Sequence, residues 1–83
     1  MSYWVYIVRC ADGSLYTGMA ADVDKRIATH NAGAGAKYTR GRLPVEEVYR
    51  EECPTRSDAL KREAAIKKLS RKSKLNVITH NLR

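Results

Sequence analysis

The chain has 83 residues, 43% of them hydrophobic, and a net charge of +7 at pH 7. A domain of this size can form a compact core, but it has too little interior for a large cofactor cleft. The longest apolar run, residues 4–8, is far shorter than the roughly 20 residues of a membrane span, and no basic leader precedes it. We therefore expect one cytoplasmic domain, residues 1–83, with no membrane partner.

The basic residues are unevenly distributed along the chain. Residues 1–52 hold equal numbers of acidic and basic side chains, so the whole net charge of +7 lies in residues 53–83. A one-sided basic surface indicates a polyanionic partner such as nucleic acid. The alternative is a solvated basic helix face that only aids solubility. Cys10 and Cys53 are far apart and form no zinc-type cluster, so no zinc site is expected.

The N-terminal residues predict a β-hairpin. Residues 3–10 are rich in β-branched and aromatic side chains, and Asp12-Gly13 predicts a turn into a second antiparallel strand over residues 15–19. A strict two-residue turn places Tyr6 and Tyr16 on opposite faces of the sheet. An odd-length loop with a bulge pairs residue 8 with residue 16 and places both rings on one face. The sequence leaves both registers open.

A helix, a loop and a third strand are predicted next. Asp22 is a candidate N-cap for the first helix, and Gly33 is suited to end it. Residues 32–42 are expected to form a surface loop that carries four basic or aromatic side chains, Lys37, Tyr38, Arg40 and Arg42. Residues 43–50 are predicted as the third strand, with Pro44 tolerated near its start.

Two helices complete the predicted order β-β-α-β-α-α of one α/β domain. Thr55 or Ser57 is a candidate cap for a helix that runs to about residue 69. Ser70 or Ser73 is a candidate cap for the last helix, which carries three apolar residues, Leu75, Ile78 and Leu82.

Glu63 is the first candidate for chemistry, because it projects into the apolar arc of its predicted helix, formed by Ala59, Leu60, Ala64 and Ile66. A carboxylate there loses hydration unless another group compensates. It could form an ion pair with Lys67, four residues later. It could instead bind a hard cation such as Mg²⁺, for which one carboxylate suffices when phosphate and water supply the other ligands.

Arg26 and His30 lie four residues apart on the first predicted helix, beside its apolar stripe. Arginine can stabilise charge on a phosphodiester, and histidine can move a proton near pH 7. An exposed arginine beside a structural histidine is the plainer alternative. Tyr6 and Tyr16 could likewise be ordinary sheet-packing residues, because a tyrosine with a pKa near 10 is a poor base at neutral pH.

Several of these residues recur together in a recognisable order. Trp4-Val5-Tyr6 is followed, after nine residues, by Tyr16-Thr17-Gly18. The pattern continues with six further residues along the chain, Asp22, Arg26, His30, Asn31, Thr39 and Glu63. This arrangement resembles the GIY-YIG nuclease superfamily and, within it, the small stand-alone bacterial YhbQ/YazA-like branch. Trp4 and Thr17 stand where the motif name has Gly and Ile.

The resemblance implies a three-stranded antiparallel sheet flanked by helices and the metal-dependent hydrolysis of DNA. By resemblance, Tyr16 deprotonates the attacking water, with His30 as relay or replacement, and Tyr6 positions the water or phosphate. Arg26 would stabilise the phosphate charge, and Glu63 would hold one Mg²⁺ or Mn²⁺. Asn31 would be a supporting hydrogen-bonding residue.

Binding of DNA, with RNA as an alternative, is expected to be dominated by phosphate contacts. The predicted contacts come from the 32–42 loop and from the basic helices, through Lys37, Tyr38, Arg40, Arg42, Lys67, Lys68, Arg71, Lys72 and Lys74. The expected biological role is DNA repair or maintenance on structured or single-stranded DNA. A catalytically weak nucleic-acid-binding module and a protein that binds an acidic protein partner are the alternatives. The sequence leaves the oligomeric state open.

Overall fold

A three-stranded antiparallel sheet is the centre of the computed structural model, which describes residues 2–80. Strand β1 (Tyr3–Arg9) lies between β2 (Leu15–Ala20) and β3 (Glu46–Cys53). The apolar composition of β1 suits this central position, since both of its faces are covered. The predicted fold class, an α/β domain with a three-stranded antiparallel sheet flanked by helices, is confirmed.

The β1–β2 hairpin has the odd-length loop. Gly13 N–H donates to the Cys10 carbonyl over 2.9 Å, and Cys10 N–H donates to the Ser14 carbonyl over 2.8 Å. Gly13 takes a φ of 84°, as a bulge of this type requires. Val8 is therefore paired with Tyr16. The odd register is the correct one of the two alternatives, and it places the Tyr6 and Tyr16 rings on the same face of the sheet.

The helices divide between the two faces of the sheet. On one face, α1 (Val23–Asn31) packs against a cluster of buried residues, Tyr6, Val8, Cys10, Val23 and Val45. On the other face, α3 (Arg56–Lys67) packs against β1, β2 and β3 over a second cluster, Val5, Ile7, Tyr49, Cys53, Ala59 and Ile66. The side chains of Asp22, Thr55 and Ser70 accept hydrogen bonds from backbone N–H groups at the starts of their helices.

The segment between α1 and β3 differs from the prediction. Residues 32–42 are not wholly a loop, because they contain the one-turn helix α2 (Lys37–Arg40). The third strand begins at Glu46 rather than at residue 43, and it runs on to Cys53. The late start is caused by a contact with α1: the Asn31 side chain bonds both backbone groups of Val45, over 2.8 and 3.1 Å. Those groups are thus unavailable to the strand ladder.

The last two helices are also corrected in detail. α3 ends at Lys67, and Leu60 and Ala64 are exposed, so its buried line runs through Ala59 and Ile66. In α4 (Arg71–His80), the predicted Ile78 packs against the core together with Val77, whereas Leu75 is 42% exposed. Leu82 lies outside the described residues. Within residues 2–80, no helix is long and apolar enough to cross a membrane.

Candidate active site

The phenol of Tyr6 reaches from the central strand across the edge strand β2. Tyr6 is paired with Gly18, and a Cβ atom at Gly18 would lie 2.5 Å from the Tyr6 Oη atom and 2.7 Å from its Cζ atom. Only glycine leaves room for the phenol in this position. The Tyr6 hydroxyl is thereby brought to the edge of the sheet.

His30, near the end of α1, meets the Tyr6 phenol at that edge. The Tyr6 Oη and His30 Nε2 atoms are 2.8 Å apart. On the other side of the imidazole, the His30 Nδ1 atom lies 2.9 Å from the Thr39 Oγ1 atom. The Tyr16 ring packs edge-on against the imidazole, with 5.5 Å between ring centroids. His30 is fully buried and Tyr16 is half-buried, so Tyr16 borders the solvent side of the group.

Arg26 and Glu63 bring opposite charges to the same hydroxyl. Burial raises the pKa of Tyr6, the Arg26 guanidinium beside it partly offsets this, and the nearby Tyr16 and Glu63 side chains raise the pKa of Tyr6 further. Burial, together with the Arg26 charge, lowers the pKa of His30 below its ordinary value of 6.5. His30 is therefore a neutral base at pH 7. The five side chains predicted to carry the chemistry lie within one constellation.

Glu63 belongs to α3, on the opposite face of the sheet from α1. Its side chain is 18% exposed, and its Oε2 atom is 3.6 Å from the Lys67 Nζ atom. The same ammonium group lies 6.0 Å from the centre of the Tyr16 ring. The two layers thus meet around the edge strand β2. The ion pair that the sequence offered as an alternative to a metal site is present.

A single carboxylate is what this site offers to a metal ion. Within residues 2–80, no group of three or more His, Cys, Asp or Glu side chains could together hold an ion. Glu63 suits Mg²⁺ or Mn²⁺, which bind through one or two carboxylates and complete their coordination with water and phosphate. The residues present therefore fit a divalent ion that binds together with a phosphate.

A stacked column of side chains flanks Tyr16. Tyr38, from α2, stacks on the Tyr16 ring with 5.8 Å between centroids, and the Arg42 guanidinium lies 4.1 Å from the centre of the Tyr38 ring. Arg42 also donates to Asp12 over 2.9 Å and to the Tyr38 carbonyl over 2.7 Å. The predicted nucleic-acid contacts Tyr38 and Arg42 thus have partners within the chain.

Comparison with known proteins assigns the family. Residues 2–76 match the family model described as the GIY-YIG catalytic domain. The chain belongs to the GIY-YIG family. This confirms the resemblance of its motifs, and it places the chain in a family of nucleases, which in general bind nucleic acid and use divalent metal ions.

The similar GIY-YIG proteins are small and bacterial, as predicted. UPF0213 proteins of Staphylococcus saprophyticus and Staphylococcus aureus are each 57% identical over 77 residues, which cover 93% of this chain and 94% of theirs. The solution NMR structure of the UPF0213 protein BH0048 from Bacillus halodurans is 44% identical, with a TM-score of 0.64, over 98% of this chain and 86% of that one. The solution NMR structure of EF2693 from E. faecalis is 41% identical, with a TM-score of 0.64, over 100% and 92%.

The remaining predicted residues of this GIY-YIG chain are Asn31 and six basic side chains. Asn31, through its two bonds to Val45, ties the end of α1 to the segment before β3. Arg40 donates to the Gly35 carbonyl over 3.4 Å, and Lys37 is exposed. None of the ion pairs found within residues 2–80 uses the other basic residues at the C-terminal end, Lys68, Arg71, Lys72 and Lys74.

Two residues of the site were not assigned a role from the sequence. Thr39 is fully buried against His30, and Gly35 packs so close to the same imidazole that a Cβ atom would lie 2.8 Å from its Cγ atom. The sequence signal for both residues was the short run from Gly35 to Thr39, which ends on a residue of the GIY-YIG pattern. Its glycine and basic content instead suggested a solvent-exposed loop.

Proposed function

We propose that this protein is a metal-dependent endonuclease that hydrolyses phosphodiester bonds in structured or single-stranded DNA, in DNA repair or maintenance. The observation that carries the proposal is the 2.8 Å contact between the Tyr6 hydroxyl and the neutral His30 imidazole, with Arg26, Tyr16 and Glu63 acting on the same hydroxyl. A purely structural tyrosine has no need of this set of charges around its hydroxyl.

The Tyr6–His30 pair supplies a base. A phenol alone is a poor base at pH 7. His30 is the net base: the Tyr6 oxygen takes a proton from the attacking water as the Tyr6 proton passes to the His30 Nε2 atom, so no separate phenolate is formed. Tyr16, which borders the solvent, orients that water. This assignment exchanges the roles of the two tyrosines that the resemblance implied, because His30 is hydrogen-bonded to Tyr6 and only packs edge-on against Tyr16.

Arg26 and Glu63 act on the phosphate. The Arg26 guanidinium stabilises the negative charge that develops on the phosphate oxygens during attack. Glu63 is the residue that would hold the divalent ion, whose chemistry when bound is to neutralise phosphate charge and assist departure of the leaving oxygen. Lys67 must release Glu63 for this purpose, and its ammonium group can then contact phosphate.

One observation favours a second candidate function, a nucleic-acid-binding module without useful catalysis. The Glu63 carboxylate already has a cationic partner in Lys67 at 3.6 Å. If this pair persists on DNA, the chain binds phosphate through its basic helices and does not cleave. A DNA cleavage assay separates the two functions.

The test is the cleavage of plasmid, branched and single-stranded DNA by the wild-type chain and by Glu63→Gln. We expect cleavage that requires Mg²⁺ or Mn²⁺ and stops with EDTA, and a loss of about 100-fold or more in Glu63→Gln, with DNA affinity retained. Glu52→Gln, an exposed carboxylate on β3, is the matched control and should cleave at the wild-type rate. A wild-type chain that binds these DNAs but cuts none with either metal would establish the binding module.

A further inference from the structure

We propose that Thr39 is a positioning residue that fixes the tautomer of His30, so that the imidazole directs its unprotonated Nε2 atom at Tyr6. Thr39 belongs to α2, a one-turn helix outside the sheet and outside the helix that carries His30. The effect of Thr39 on cleavage rests on the proposed nuclease function, whereas its effect on the tautomer of His30 does not.

The hydroxyl proton of Thr39 is directed at the Ala36 carbonyl. The Thr39 Oγ1 atom is 2.9 Å from the Ala36 carbonyl oxygen and 2.9 Å from the His30 Nδ1 atom. A carbonyl oxygen only accepts, and two oxygens with no proton between them repel at 2.9 Å, so we place the single hydroxyl proton of Thr39 on its contact with Ala36. Toward His30, the Thr39 oxygen can therefore only accept. The Nδ1 atom of His30 must carry a proton.

The protonation state of the His30 Nε2 atom follows from that of Nδ1. A neutral imidazole has one N–H group, so a proton on Nδ1 leaves Nε2 as an acceptor. The Tyr6 hydroxyl then donates across the 2.8 Å contact. His30 and Thr39 are both fully buried, so water does not compete for these positions. The Thr39 hydroxyl thus sets the direction of two successive hydrogen bonds.

The surroundings of the imidazole hold it in this arrangement. Gly35 lies directly against the ring, where a Cβ atom would overlap Nδ1 and Cγ. Tyr16 packs on another side, with its ring at 68° to the imidazole. The nearby Arg26 charge, on the same helix as His30, disfavours a second proton on the ring. The ring is therefore confined in position, and Thr39 supplies the acceptor that selects one of its two neutral forms.

The test compares Thr39→Val, which keeps the shape of the side chain without the hydroxyl, with Thr39→Ser, which keeps the hydroxyl. The tautomer is observed directly by ¹⁵N NMR of the histidine rings at neutral pH, in a His80→Gln background so that only His30 contributes. We expect an Nδ1–H imidazole in the parent and in Thr39→Ser. In Thr39→Val we expect a shift to the Nε2–H form. An Nε2–H imidazole in the parent chain overturns the proposal without any Thr39 variant.

Cleavage by the same variants tests the catalytic consequence. We expect kcat to fall by about 100-fold in Thr39→Val, with KM little changed and with recovery in Thr39→Ser. Thr39→Val with a wild-type spectrum and wild-type kcat contradicts the proposal alone. A chain that shows the expected tautomers but cleaves no DNA contradicts the nuclease function and leaves the role of Thr39 intact.

Discussion

The position of the Tyr6 phenol depends on the absence of a side chain at Gly18. A Cβ atom there would lie 2.5 Å from the phenol oxygen, so we expect Gly18→Ala to displace Tyr6 from His30. Overpacking of this kind lowers the free energy of unfolding by about 1–3 kcal/mol, and cleavage should fall with it. Urea denaturation and a nicking assay measure the two effects.

Gly41→Ala is the control for this prediction, because nothing lies within 4 Å of a Cβ atom at that position. Its free energy of unfolding should stay within about 0.5 kcal/mol of the wild type. If Gly18→Ala proves as stable and as active as Gly41→Ala, neither folding nor cleavage depends on the present position of the Tyr6 phenol.

The protonation of His30 predicts the pH dependence of cleavage. Burial and the Arg26 charge lower the pKa of His30 below 6.5, and only the neutral imidazole can take the Tyr6 proton. The rate should therefore be constant around pH 7 and fall as the pH drops through this lowered pKa. Measurement of kcat/KM against pH, which reports the free protein, locates the acidic limb, and Tyr6→Phe should remove it along with most of the activity. An acidic limb centred above pH 6.5 would contradict this assignment.

At the level of elements, the end of α3 and the start of α4 form a basic surface. Lys68, Arg71 and Lys72 are exposed there. We expect their joint replacement by Gln to weaken DNA binding. The slope of log K against the logarithm of the salt concentration should become shallower by about 0.9 for each phosphate that the variant no longer neutralises. The melting temperature should barely change, because these side chains cover no core. Fluorescence anisotropy at several salt concentrations measures the affinity and its salt dependence.

A second triple variant removes the same charge elsewhere. Lys25, Arg56 and Lys61 are also exposed, on α1 and the first part of α3. If their replacement by Gln weakens binding as much as the first triple variant, only net charge matters and the surface has no special role. If the first triple variant melts at a much lower temperature than the second, its side chains serve the fold.

The sequence predicted the elements whose signals are local. The cap at Asp22 and the hairpin strands depend on neighbouring residues, so they could be inferred directly, and the caps at Thr55 and Ser70 could each be narrowed to one of two residues. The start of β3 could not, because a side chain from α1 takes the backbone groups of Val45. The buried side of α3 could not be inferred either, since it depends on how the helix lies across the sheet.

For the molecule as a whole, five members of the candidate site could be named from the sequence, but Thr39, Gly35 and the place where the side chains meet could not. Arg26 and His30 come from one face of the sheet, and Glu63 comes from the other. The two faces of a sheet meet only at an edge, and here the edge is β2, over which Gly18 admits the Tyr6 phenol. The partners of each hydroxyl and imidazole depend on that placement, which no spacing along the chain encodes.

The Glu63–Lys67 ion pair has a consequence for the order in which ligands bind. An acid that already has a counter-charge at 3.6 Å holds a divalent cation weakly, because the cation must displace the ammonium group. A DNA phosphate that draws Lys67 away removes this competition and offers the cation a further oxygen. Each ligand then raises the affinity for the other by the same factor, so occupancy by metal and by nucleic acid should rise together.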